Sequence, residues 1–177
     1  MRSLVLLPLL ALAACSGGGE DPTAQNKAKA EAAKNLQLAA GQWQISTEVT
    51  RFDSQDNGPP KINTPVGTKH EASACVAEGE GKKPAPVLLA GDEDYECEYG
   101  SFYMSSGTLN AQLNCRRDGL SGEIRMTVDG TYTADKIDAE QSISTFLSGT
   151  GDVTMQTKLT GRHAAPACAA AGDAKAS

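Results

Sequence analysis

Cys97 and Cys115 bracket the stretch CEYGSFYMSSGTLNAQLNC, and no other part of the chain limits the possible folds so tightly. If the two cysteines face each other across an antiparallel ladder, Tyr99 opposes Leu113, Ser101 opposes Ala111 and Tyr103 opposes Leu109, all on one face. The turn is then Ser105-Ser106-Gly107. The other face carries Glu98, Gly100, Thr108, Asn110, Gln112 and Asn114, with Phe102 and Met104 as its two apolar misfits. One pairing choice therefore sorts nearly every side chain into inside and outside.

The rest of the chain reads in the same period. Trp43, Ile45, Thr47 and Val49 alternate with polar residues in GQWQISTEVTRF, which predicts a first strand. Residues 53–67, DSQDNGPPKINTPVG, form a long loop, and residues 69–76 a short strand carrying Cys75. Residues 77–94, broken by Pro84 and Pro86, read as a second irregular connection. Three further strands follow the hairpin. Their inward rows are Ile124, Met126, Val128, Gly130 and Tyr132, then Ile137, Ala139, Ile143 and Thr145, then Val153, Met155, Thr157 and Leu159. Gln141 is the one polar interruption of these rows. With 18 glycines, 8 prolines and 5% aromatic residues, the composition suits turns and strands better than a helical bundle. The expected fold is mainly β: an antiparallel meander of about six to eight strands whose sequence neighbours are spatial neighbours. One apolar face per strand requires a second layer, so the sheet curls into a partly open barrel or packs as a sandwich.

The N-terminus reads as an address. Residues 1–14, MRSLVLLPLLALAA, have a basic start at Arg2 and an apolar run too short to span a bilayer as a stable helix. Leu12-Ala13-Ala14-Cys15 resembles the bacterial lipobox, in which the cysteine is lipidated and becomes the first residue. An ordinary cut after Ala11-Leu12-Ala13 also satisfies the small-x-small pattern. Cysteine parity favours the lipobox: of five cysteines, lipidation of Cys15 leaves Cys75, Cys97, Cys115 and Cys168. Four cysteines in an oxidising compartment imply two disulfides in one of three connectivities, and the hairpin register selects Cys97 with Cys115, leaving Cys75 with Cys168. Residues 15–40 are expected to be the lipidated cysteine, a flexible spacer SGGGE and a short helical stalk from Asp21. Residues 41–168 form the stapled β domain, and residues 169–177 a disordered tail.

Gly41-Gln42-Trp43-Gln44-Ile45-Ser46-Thr47, Cys75-Val76, Cys97, Gly107-Thr108-Leu109-Asn110-Ala111, Cys115-Arg116-Arg117, Gly130-Thr131-Tyr132-Thr133, and Gly161-Arg162 before Cys168 are spaced along one stretch of the chain. Together they resemble a bacterial family, the domain of unknown function 3617 of exported proteobacterial proteins. The family often has Pro-Gly before the tryptophan and Glu after it, where this chain has Ala40-Gly41 and Gln44. The resemblance covers roughly residues 40–168. It implies an exported, β-rich, disulfide-bonded domain and brings no activity or catalytic residues with it.

No constellation of residues points to catalysis, a metal or a cofactor. His70 and His163 each stand five residues before a cysteine, but zinc needs thiolates and the spacing lacks a C-x2-C pair. The run Asp92-Glu93-Asp94-Tyr95-Glu96-Cys97-Glu98 has no D-x-D-x-D-G loop for calcium and reads as a solvated acidic loop. There is no G-x-S-x-G elbow, and Gly79-Glu80-Gly81-Lys82-Lys83 lacks the residues of a phosphate loop. The net charge of −6 becomes −7 once residues 1–14 and Arg2 are removed, a poor match to nucleic acid. The expected function is a non-enzymatic envelope lipoprotein on the outer membrane facing the periplasm, since Ser16 follows the lipid site, with a protein or small-ligand partner. The alternatives are a lipocalin-like carrier with Trp43, Tyr99, Tyr103 and Tyr132 facing an apolar ligand, and an uncharacterised periplasmic enzyme.

Overall fold

The computed structural model describes residues 27, 31, 33 and 35–169. Its strands are β1 (Gly41–Ser54), β2 (Lys69–Val76), β3 (Tyr95–Ser105), β4 (Thr108–Arg117), β5 (Gly122–Tyr132), β6 (Lys136–Leu147) and β7 (Val153–Ala165), with one short helix, α1 (Val87–Ala90), between β2 and β3. All pair antiparallel in a single sheet of order β2-β1-β7-β6-β5-β4-β3, curled into a half-barrel. From β3 to β7 the chain is the expected meander. The departure is at the ends: β1 pairs with β7, so the first hairpin is attached through the last strand and the opening lies between β2 and β3.

The inward rows read from the sequence are buried, except that Thr47 and Gly130 are half-buried. Trp43, Ile45, Val128, Val153 and Leu159 have no exposed surface, and Leu113 and Ala111 line β4 beside them. Each large apolar side chain so enclosed contributes about 1.5–3 kcal/mol relative to exposure. This row is covered by chain rather than by a second sheet. Residues 77–94, expected to be only an irregular connection, carry α1, whose Leu88, Leu89 and Ala90 are buried and which touches both β2 and β3. Gly91 ends this turn with φ 72°, and a Cβ there would lie 2.5 Å from Thr47 Cγ2, so the left-handed residue that releases the plug must also be the smallest.

Gln141, the polar interruption in β6, is 2% exposed. Its Nε2 donates to the Leu89 carbonyl at 2.5 Å and the Ala90 carbonyl at 3.2 Å, while the Thr157 hydroxyl donates to its Oε1. A helix end leaves carbonyls without partners, and this amide supplies them from across the half-barrel.

A second covering segment comes from the N-terminal side. Lys27, Glu31 and Ala33 are helical, but residues 36–39 are not, and Leu38 is buried at 2% exposure. The helix expected over residues 21–40 therefore ends early, because Leu38 is drawn into the core instead of sitting on a stalk. The Leu38 N–H donates to the Gly81 carbonyl at 2.9 Å and the Ala39 N–H to the Ala134 carbonyl at 2.6 Å, tying this strap to the plug and to the β5–β6 turn. The export signal, Cys15 and the tail beyond Ala169 lie outside the described residues, as does most of the expected stalk.

Both disulfides are present. Cys97 is joined to Cys115 with Cα atoms 4.0 Å apart, and Cys75 to Cys168 with Cα atoms 5.4 Å apart. The hairpin register holds from Cys97↔Cys115 through Tyr99↔Leu113 and then slips, so that Phe102 opposes Ala111, Tyr103 opposes Asn110 and Met104 opposes Leu109. The cause is the turn. Ser106 (φ 51°) and Gly107 (φ 83°) form a two-residue hairpin turn with both residues left-handed, the kind that matches strand twist. A ladder through Cys97 and Cys115 closes on three residues, one too many for that turn, and a bulge at Gly100 absorbs the difference. Phe102 and Met104 thereby turn inward and are no longer misfits.

Candidate functional site

The four aromatics expected to face a ligand separate into two groups. Trp43 and Tyr132 are fully enclosed, at 0% and 3% exposure, and Tyr99 is partly buried. Tyr103 is 56% exposed on the outer face, because the Gly100 bulge reverses its side; its placement beside the other three is corrected. The polar ends of the enclosed aromatics are occupied. Trp43 Nε1–H donates to the Ala39 carbonyl at 3.0 Å and Tyr132 O–H to the Leu36 carbonyl at 3.1 Å, both on the strap. Tyr99 O–H donates to the Pro84 carbonyl on the plug at 2.9 Å, and burial pushes its phenol far above the ordinary tyrosine range. These rings hold the covering segments in place.

The opening between β2 and β3 is spanned by the acidic residues just past α1. Asp92, just past α1, lies 3.6 Å from His70 Nε2 on β2 and 3.7 Å from the Arg117 guanidinium at the end of β4. Arg117 also pairs with Asp94 at 3.0 Å and sits over the Tyr95 ring at 5.0 Å, while Glu93 accepts the Ser73 N–H at 3.4 Å. Burial raises the Tyr95 phenol, partly opposed by Arg117. The acidic run is thus divided: Asp92 and Glu93 reach across to β2, Asp94 pairs with Arg117 on the β3–β4 side, and Glu96 and Glu98 face solvent. His70 stands opposite Thr47 and His163 opposite Trp43, on the two sides of β1 and four residues apart along it, so the histidines are not brought together. His163 instead contacts the Ala40 carbonyl at 2.9 Å and packs edge-on against Trp43. Among the described residues no three His, Cys, Asp or Glu side chains gather as a metal would require.

A second cluster, unmarked by any motif, holds the long β1–β2 loop. The Asp56 carboxylate accepts the N–H of Gly151 at 2.7 Å, of Gly58 at 2.9 Å and of Asp152 at 3.1 Å, and these bonds hold its carboxyl below the ordinary carboxylate range. Ile62 of the same loop is buried. An Asp-x-Gly pairing in a polar loop was the only available hint, and it is a common turn signal.

An open depression of about 830 Å³ lies on the outer face beside the Cys97–Cys115 pair and is lined by Glu96, Glu98, Asn114, Arg116 and Glu123. It is polar and shallow, and its charges are of mixed sign. No helix among the described residues is long and apolar enough to cross a membrane.

Against this background the chain belongs to the family described as a protein of unknown function, DUF3617, whose model matches residues 38–168. That span opens on Leu38, the strap residue that enters the core, and closes on Cys168, the last disulfide residue. No curated protein and no solved structure matches the chain.

Proposed function

We propose that this is an exported lipoprotein, anchored through Cys15 to the outer membrane and facing the periplasm, whose β domain works by binding a partner and not by catalysis. The observation that carries this reading is the use of cysteine. Cys97–Cys115 and Cys75–Cys168 account for four of the five, which suits an oxidising compartment, and the fifth stands at the end of a lipobox-like signal. Two or three acyl chains on one residue hold a protein durably at a bilayer. The carrier alternative loses support from the strap and plug, which take up the polar ends of the very aromatics that would have lined its site.

Replacing Cys15 by Ala should move the full-length protein from the membrane fraction to the soluble envelope fraction. A Cys15→Ala protein that still sediments with carbonate-washed membranes overturns the anchor.

A further inference from the structure

We infer that the outer edge of β3 pairs with the same edge of a second copy, in an antiparallel contact centred on Tyr103. β3 is the last strand of the sheet, and no group among the described residues bonds to its main chain from the far side between Ser101 and Met104. Residues flanking a two-residue turn exchange main-chain bonds, so Ser105, Tyr103 and Ser101 direct theirs to β4, while Met104 and Phe102 direct theirs outward. The same parity holds at the other end of the hairpin, where the 4.0 Å Cα separation of Cys97 and Cys115 is the close spacing of a non-bonded pair.

The sequence of this edge is its own complement. Ser-Phe-Tyr-Met-Ser, residues 101–105, reads nearly the same in both directions. Antiparallel pairing about Tyr103 sets each Phe102 against Met104 of the second copy, with the outward N–H and C=O groups of both satisfied. Each Ser101 then meets Ser105 of the second copy. The two Tyr103 rings lie side by side on the outer face, as an aromatic cross-strand pair. Natural edges are usually guarded by charge or proline, and this stretch has neither; the nearest charge, Glu98, lies beyond it. Three large apolar side chains are exposed among the described residues, Val66, Tyr103 and Phe146. Phe146 is covered by the Arg125 guanidinium 4.8 Å from its ring, whereas among the described residues no cation stands over Tyr103. A second copy fits this edge better than an unrelated extended peptide, because only the copy brings the matching order of side chains. The contact is independent of the anchor and forms between tethered or free chains.

The test uses the full chain in cells that export it. A Tyr103→Cys substitution should produce a disulfide-linked dimer on non-reducing gels, mapped by peptides to the introduced sulfurs. Directly opposed residues have Cα atoms roughly 4.5–5.5 Å apart, within reach of a disulfide, so linkage should exceed that of a Thr127→Cys control on the outer face of β5 by roughly tenfold. Adding Met104→Pro to the Tyr103→Cys chain should abolish the link. That proline removes an outward N–H and no bond to β4, and its fold is checked by the two native disulfides. Linkage no greater than the Thr127→Cys control overturns the contact. Linkage that survives Met104→Pro overturns its main-chain pairing.

Discussion

Gln141 is the residue whose replacement most directly tests whether α1 is held as a plug. In a Gln141→Leu protein the Leu89 and Ala90 carbonyls lose their donor and the Thr157 hydroxyl loses its acceptor, all in a buried setting. Nothing else among the described residues bonds to either carbonyl. A typical hydrogen bond contributes about 1 kcal/mol net, and a buried group left unpaired costs about 1–3 kcal/mol, so the three together cost about 3 kcal/mol. For a domain of this size, at about 3–5 °C per kcal/mol, Tm falls by about 10 °C. Gln141→Ala adds the cost of a cavity and should be worse. Thr157→Val combined with Gln141→Leu should cost about 1 kcal/mol less than the sum of the singles, because the second change removes a hydroxyl the first has orphaned. Circular dichroism melts and urea unfolding with both disulfides intact measure these values. A Gln141→Leu protein within about 0.5 kcal/mol of the parent, or strict additivity in the double variant, would show that the plug does not depend on this amide.

Two other perturbations have definite directions. Asp56 has its folded carboxyl held below its ordinary value of 3.8, chiefly by the Gly151 N–H and then by that of Gly58, so its contribution to stability is present above that value and is lost as pH falls through the lower folded one. Limited proteolysis of the 55–68 loop should therefore accelerate below about pH 4 in the parent. An Asp56→Ala protein should be cleaved quickly at pH 7, and resistance equal to that of the parent there refutes the pin. The two disulfides should respond unequally to a limiting dithiol, since Cys75 and Cys168 are exposed whereas Cys115 is 1% exposed and Cys97 half-buried. Differential alkylation with peptide mapping should find Cys75–Cys168 opened first, and simultaneous or reversed opening contradicts the accessibility argument.

The strands were legible because a half-buried sheet writes itself in a period of two, and the rows through Trp43, Ile124, Ile137 and Val153 are the buried ones. Partnership was not legible for β1, since alternation tells which face a residue occupies and says nothing of which strand lies beside it; hence the unforeseen pairing of β1 with β7. The plug escaped notice because four residues, Val87-Leu88-Leu89-Ala90, are too few to show helical periodicity, and the prolines around them mark a break. Gln141 was noticed as an interruption, but its meaning required α1. Tyr103 was assigned to the wrong face for a reason that lay in the sequence: Ser106-Gly107 suits a two-residue turn, the cysteine register demands three, and only a bulge such as Gly100 reconciles the two.

That reconciliation also decides which aromatics the fold encloses and which it leaves outside. Had the ladder run without a bulge, Tyr103 would have joined Tyr99 and Tyr132 on the concave side and Phe102 would have been exposed. With the bulge, the concave side receives Phe102 and Met104, packed against the core, and the strap and plug take up the polar ends of Trp43, Tyr99 and Tyr132. Among the described residues the uncovered aromatic is then outside, on the edge strand of the sheet. With the interior occupied by its own chain, the described residues leave the outer face and the β3 edge uncovered, where the contact between copies proposed above would form. Of these the β3 edge combines unpaired main-chain groups, exposed aromatic area and freedom from charge.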